Sequence, residues 1–337
     1  MVAGLTRTVF GQAMKKGDIY TVAGDGTNGF TGDGGPGPSA WVSNPAEVTA
    51  DAAGNLLIAD AGNIRIRVVA AHTGTYYGQA MTAGDIYTVA GDGTRGFAGD
   101  GGLATSAELS SAKGIAVDSA GNLVIADTFN ERIRVMAAKT GTYYGQAMTA
   151  RHIYTIAGDG TLGYSADGVP ATTSALCESA GVGTDAAGNV LISDYCNNRI
   201  RVVAAHTGTY YGQAMTAGDI YTIAGDGTNG SSGDGGPATG AALNLPEGVT
   251  VDGAGNVVIA DTYNGRIRVV AAQTRTFYGQ AMTAGDIYTI AGGAASGLGD
   301  GGLATKAELN APQTVTVDGT GLLIADTLDN RIRLVTG

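Results

Sequence analysis

The motif Asp-Ile-Tyr-Thr, His-Ile-Tyr-Thr in one copy, places Tyr20, Tyr87, Tyr154, Tyr221 and Tyr288 at a constant spacing of 67 residues. A fixed period constrains the fold more than any other feature of this chain. Each repeat must be one supersecondary unit that buries its apolar surface against the next. Five such periods account for almost all of the 337 residues, so residues 1–337 read as one domain of five repeats. The period is longer than that of most helical repeats and suits a four-stranded blade with generous loops.

The second copy shows the pattern inside a repeat. "GIAVD" (114–118) reads as a first strand and "SAGN" as a tight turn. "LVIAD" (123–127) is a second, strongly β-prone run, and "TFNE" turns the chain again. "RIRVMAA" (132–138) alternates, with Arg read as outward and Ile and Val as inward. A long "TGTYYGQAMTAR" connection then leads to a fourth strand, "IYTIAG" (153–158). No segment sustains a 3.6-residue apolar period. Glycine, 57 residues of 337 against a usual ~7%, supplies the many tight turns that short strands need.

The phase of the repeat sets an expectation for closure. The chain begins with a fourth strand (residues 18–23) and ends with strands one to three, "TVTVD", "LLIAD" and "RIRLV". The reading is an all-β, five-bladed β-propeller of four-stranded blades, its ring closed by the N-terminal strand joining the C-terminal blade, which hides the sheet edges. The opening "MVAGLTRTVFGQAMKKGDIYT" lacks an apolar signal core and matches part of the repeat, so the chain is expected to start inside a repeat of a longer or processed protein.

"PEGVTVDGAGNVVIADTYNGRIRVV" (246–270) resembles an NHL repeat, whose pattern is Pro-x-Gly, three apolar residues, Asp-x-x-Gly-Asn, three apolar residues, x-Asp-x-x-Asn-x-Arg. The "GDGG-x-AT-x-A-x-L" stretch resembles the linker of bacterial and teneurin-type NHL propellers. The resemblance covers all five repeats and implies a propeller, though the family most often has six blades and five is a departure. It implies functions as varied as protein or RNA binding, sensing and lyase chemistry. The lyases would carry clustered metal-binding histidines. His72, His152 and His206 are the only histidines here and do not match such a cluster.

Several motifs recur in every repeat and so read as structural. In Asp60/Asn63/Arg65 and its counterparts, Asp and Arg five apart flank a turn and are expected to pair across adjoining strands. Asp51, Asp118, Asp185, Asp252 and Asp318 are expected to accept backbone bonds in the turn between strands one and two. The Gly/Asp loop contributes Asp33, Asp100, Asp167, Asp234 and Asp300. These are weak calcium candidates, because the loop offers two Asp and a Thr where calcium asks for six to eight oxygens. The expectation is no cofactor, with the loop a connector between blades. Tyr76/Tyr77 and their counterparts are expected to pack between blades.

Where repeats differ, a ligand site is the expectation. The variable positions in the two–three and four–one connections gather Trp41, Lys113, Phe129, Tyr195, Glu247, Tyr263 and Leu328 into a mixed aromatic and polar cup, with drift at tolerant loops the competing explanation. Cys177 and Cys196 are unique to the third repeat and sit in facing loops, so they are expected to form a disulfide and to place the chain in an oxidising, extracytoplasmic compartment. A net charge of −11 argues against nucleic acid, and no apolar run approaches a membrane span. The functional expectation is a monomeric, non-enzymatic ligand- or protein-binding or scaffold module, its partner a protein, peptide, carbohydrate or small molecule. The alternative is a lyase or isomerase using the cup, with Glu247 and Lys113 as its acid–base pair.

Overall fold

The alternation of each repeat becomes antiparallel sheet in the computed structural model, which describes residues 6–15, 18–318 and 321–336. Among these residues the regular structure is β, broken only by single 3-10 turns. Five sheets carry the five repeats. In the first, Pro45–Ala50, Leu56–Asp60, Arg65–Val69 and Asp85–Ala90 pair in that order, and the short Gly35–Pro36 flanks the last. The third and fourth sheets repeat this five-stranded plan, and the second holds the four main strands. A two-stranded hairpin such as Gly74–Tyr76 with Gln79–Met81 rises from each third-to-fourth connection.

Contacts divide the chain into two compact units. One comprises Met1–Asn130, Arg134–Thr142 and Ala147–Thr155; the other comprises Glu131–Ile133, Tyr143–Gln146 and Ile156–Gly337. In the first unit, Leu57, Ala59, Ile66 and Val68 of one sheet share a core with Ile115, Leu123 and Ile125 of the next. In the second unit the period of two is visible within single strands. Val257 and Ile259 face the third repeat's Leu191, Ile200 and Val202, while Val258 and Ala260 face the fifth repeat's Val315, Leu322 and Ile324. A strand buried on both faces reads as a continuous apolar run, which is why the second strand of each repeat is Val/Leu/Ile/Ala-rich.

Two expectations need correction. The C-terminal sheet has three strands, Pro312–Asp318, Gly321–Asp326 and Arg331–Thr336, and the last is an edge. Residues 18–23 take no strand partner among the described residues; instead Val22 and Ala23 pack against Ile58, Val69 and Ile86 of the first sheet. The second correction concerns the third strand, whose second Arg is not outward. Arg67, Arg134, Arg201 and Arg268 are fully buried, because a strand covered on both faces has no solvent side to offer.

Candidate ligand-binding face

The repeated Gly/Asp loop is organised around the buried arginine. Arg134 Nη2 lies 2.7 Å from Asp100 and Nη1 3.4 Å from Asp127; Arg67 joins Asp33 and Asp60 at 2.7 and 3.5 Å. Arg268 holds Asp234 and Asp261, and Arg333 holds Asp300 and Asp326. Asp60 and Arg65, five apart, are partners across adjoining strands as expected, while the ion pair joins Asp60 to Arg67, seven residues on. The Arg at five (Arg65, Arg132, Arg199) donates instead to the carbonyl of Asp92, Asp159 or Asp226 in the next loop. Each Asp proposed for calcium is thus held by an arginine, with Asp167 placed 3.2 Å from Arg201. No group of three or more His, Cys, Asp or Glu arranged to hold a metal occurs among the described residues.

The turn carboxylates behave as expected, with one addition. Asp51 Oδ1 accepts from the Ala53 and Asn55 N–H groups, while Oδ2 accepts from Tyr77 Oη at 2.8 Å, tying the hairpin to its own blade. Tyr211 and Tyr278 do the same to Asp185 and Asp252. The side chain of Asp318 lies outside the described residues.

The cup residues divide. In the first unit, Lys113 Nζ sits 5.8 Å from the centre of the Phe129 ring, which is half exposed. Trp41 does not join them: it packs over Gly29 and its indole N–H donates to Asp25 at 3.1 Å. In the second unit, Tyr195 and Tyr263 share a hydrogen bond, and the carboxylates of Glu247 and Glu178 lie near enough to act on Tyr195. Burial first, then that bond and those charges, push the Tyr195 phenol above its ordinary value, so it stays a donor at any ordinary pH. The Glu247 N–H is anchored by Thr262 Oγ1 and the Ala260 carbonyl. Leu328 stands exposed at the same repeat position as Phe129 and Tyr263. All three are fixed by one backbone bond, from their N–H to the carbonyl of Asn310, Ser110 or Asn244.

That same bond explains the disulfide. Cys196 N–H donates to the Cys177 carbonyl, so these positions adjoin in every blade; a Cβ on the equivalent Gly62 would collide with Ser43. Cys177 and Cys196 are bonded, with Cα atoms 5.4 Å apart.

The sequence reading missed a groove of about 1140 Å³ in the second unit. Tyr164, Arg199, Tyr210, Thr222, Asp226 and Asp252 contribute to its walls. The loop that carries Tyr164 and Asp167 differs from its counterparts at residue 166. Gly32 and Gly99 adopt φ near 87° and leave no room for a Cβ against Ala40 and Ala107, but the third repeat has Ala166, which stays out of this left-handed region. Its loop is displaced: Asp167 accepts from Thr222 Oγ1 where Asp33 and Asp100 accept backbone N–H groups, and Arg201 Nε has no hydrogen-bond partner.

The NHL repeat family model matches residues 243–270. No curated protein matches the sequence. Among solved structures, an auxiliary nutrient binding protein from Bacteroides ovatus is 16% identical with a TM-score of 0.54, over 86% of this chain and 58% of that one. The chain therefore spans well under two thirds of that protein. An auxiliary nutrient binding protein from Bacteroides thetaiotaomicron is 14% identical (TM-score 0.45, 88% of this chain, 70% of that one). Virginiamycin B lyase from Staphylococcus aureus is 12% identical (TM-score 0.43, 85% of this chain, 67% of that one). The first of these likenesses speaks for the fold alone.

Proposed function

We propose that this chain, an all-β propeller whose residues 243–270 match the NHL repeat, is a non-enzymatic binding module whose ligand rests on Tyr195, Tyr263, Glu247 and Glu178. The observation that carries this reading is the cluster itself. Two phenols share a hydrogen bond, and two carboxylates lie near enough to act on one of them, at positions where the other repeats carry different residues. Aromatic faces beside acceptors suit a hydroxyl-rich or cationic ligand, a carbohydrate or a basic peptide. In this reading capture needs no cofactor, and the arginines that engage the loop carboxylates support a structural role for those carboxylates. The nutrient-binding description of the similar Bacteroides ovatus structure is in keeping with this reading. The Cys177–Cys196 bond supports an extracytoplasmic setting.

The test is an array of glycans and basic peptides probed with the wild-type chain and with Tyr263→Ala. Tyr263 is 60% exposed, so its truncation leaves the core intact. The expected result is a defined set of wild-type signals that fall about tenfold or more in the variant, in line with an aromatic contact at the centre of a site. A blank array, or equal signals from both proteins, contradicts the reading.

A further inference from the structure

The junction between the two–three turn and the four–one connection is pinned twice in every repeat. A residue of the turn donates its N–H across, from Gly62 to the Ser43 carbonyl in the first repeat and from Cys196 to the Cys177 carbonyl in the third, at 2.8 and 3.3 Å. The accepting residue donates its own N–H back to the aspartate that ends the second strand, Ser43 to Asp60 and Cys177 to Asp194, at 2.7 and 2.8 Å. The second, fourth and fifth repeats make both bonds in the same way. Four repeats therefore form this junction with no covalent link. The third adds the Cys177–Cys196 bond, so what the bond supplies is not the junction itself.

The third repeat differs at the residue just before the crossing N–H. Thr128, Thr262 and Thr327 occupy that place in the second, fourth and fifth repeats, and each donates its Oγ1 hydroxyl to the carbonyl two residues back, at 3.2–3.4 Å. Tyr195 has no hydroxyl within that reach; its phenol bonds Tyr263 instead. The arginine packed beneath the turn is also held less completely. Arg67, Arg134 and Arg268 donate Nε to a loop aspartate, whereas Arg201 Nε has no hydrogen-bond partner. The turn that presents Tyr195 thus lacks two restraints that its counterparts keep.

The cysteines stand directly beside the residues of the ligand face. Tyr195 precedes Cys196, and Glu178 follows Cys177, its own N–H held by the Glu131 carboxylate at 2.6 Å. The bond fixes at 5.4 Å the Cα separation of the segment that presents the phenol from the segment that presents the carboxylate. We propose that the Cys177–Cys196 bond is the positioning element of this face, holding Tyr195 and Glu178 in one mutual placement where the hydroxyl and arginine restraints of the other repeats are missing. Side chains placed before a ligand arrives spare the cost of ordering them on binding. What the face binds rests on the proposed function; what the bond holds rests on the junction alone.

The test compares wild type with Cys177→Ala/Cys196→Ala, each with carbon-13 in the tyrosine rings. The Tyr195 signal is assigned with Tyr195→Phe. Tyr211, bonded to Asp185 at 2.8 Å in the hairpin of the same repeat, is the reference. The Tyr195 signal is expected to shift and broaden in the double variant while that of Tyr211 stays in place. Reducing the wild type with dithiothreitol, which is oxidised to its cyclic disulfide as the two cysteines become thiols, is expected to give the same change, reversed on reoxidation. The proposal is overturned if the Tyr195 signal does not change. It is equally overturned if Tyr195 and Tyr211 change together, because the bond would then serve the whole blade. For an array ligand that Tyr263→Ala loses, the double variant is expected to bind about tenfold more weakly, and unchanged affinity would overturn the proposal. With a blank array the ring signals alone decide, so the two readings fail separately.

Discussion

The arginine seven residues after the repeated aspartate is the residue on which each blade turns. It is fully buried in the first four repeats and is held by two carboxylates and by loop carbonyls. Removing one member of such a group strands the other charges in a dry interior, at a cost of about 3–5 kcal/mol. Arg134→Ala is therefore expected to lower stability by that amount in urea unfolding, whereas Arg65→Ala, at a partly exposed position, is expected to cost under about 1 kcal/mol. Equal losses would contradict this. The cross-strand pairing of Asp60 with Arg65 was legible in the sequence, and the charge contact with Arg67 was not: alternation says only that the two arginines share a face, and which face is wet depends on the neighbouring sheet. Glu47 supplies a second residue-scale prediction. Burial pushes its carboxyl up to about 7, opposed by the bond it accepts from the Ile115 N–H. A carboxyl raised on folding favours the folded state at low pH and loses that advantage as pH rises toward 7. Glu47→Gln, whose amide oxygen still accepts from Ile115, is expected to leave stability unchanged near pH 4. It is expected to raise stability by about 1–3 kcal/mol at pH 8. A variant that is no more stable than wild type at pH 8 would contradict this.

Among the elements, strands were the most legible and the loops the least. The runs "LVIAD" and "RIRVM" became Leu123–Asp127 and Arg132–Met136, because apolar β-branched residues between Gly- and Asn-containing turns leave few alternatives. The disulfide was legible because Cys177 and Cys196 each replace a non-cysteine in the other repeats, and the facing loops adjoin in every blade. It closes a segment of 19 residues, for which chain entropy gives about 3 kcal/mol. Reduction, or replacement of both cysteines by alanine, is expected to lower the stability of this unit by about that amount in urea titration, with no change in the strand signal of the circular dichroism spectrum before unfolding begins. Loss of under about 0.5 kcal/mol would mean that the loops are held without it. The groove beside Tyr164 was not legible, since its walls come from residues far apart in sequence, among them Tyr164, Tyr210 and Asp252, that only the fold brings together.

For the whole molecule, the period announced five repeats and the structure carries five sheets, but the ends do not follow from the period. Sequence equivalence names residues 18–23 as a fourth strand without saying which third strand receives it. The cup was legible in part for a similar reason. Divergent positions can be aligned by repeat, yet only packing decides that Tyr195 bonds Tyr263 within electrostatic reach of Glu247 while Trp41 turns back onto Gly29 and Asp25. What the repeats share is then architecture, and what distinguishes them is the surface offered to a ligand. A binding isotherm for the strongest array ligand, taken on wild type, Tyr263→Ala and the shared-loop variant Asp234→Asn, tests that division most directly. The account predicts about tenfold or greater weakening for Tyr263→Ala and unchanged affinity for the folded fraction of Asp234→Asn. Unchanged binding by Tyr263→Ala together with lost binding by folded Asp234→Asn would contradict it.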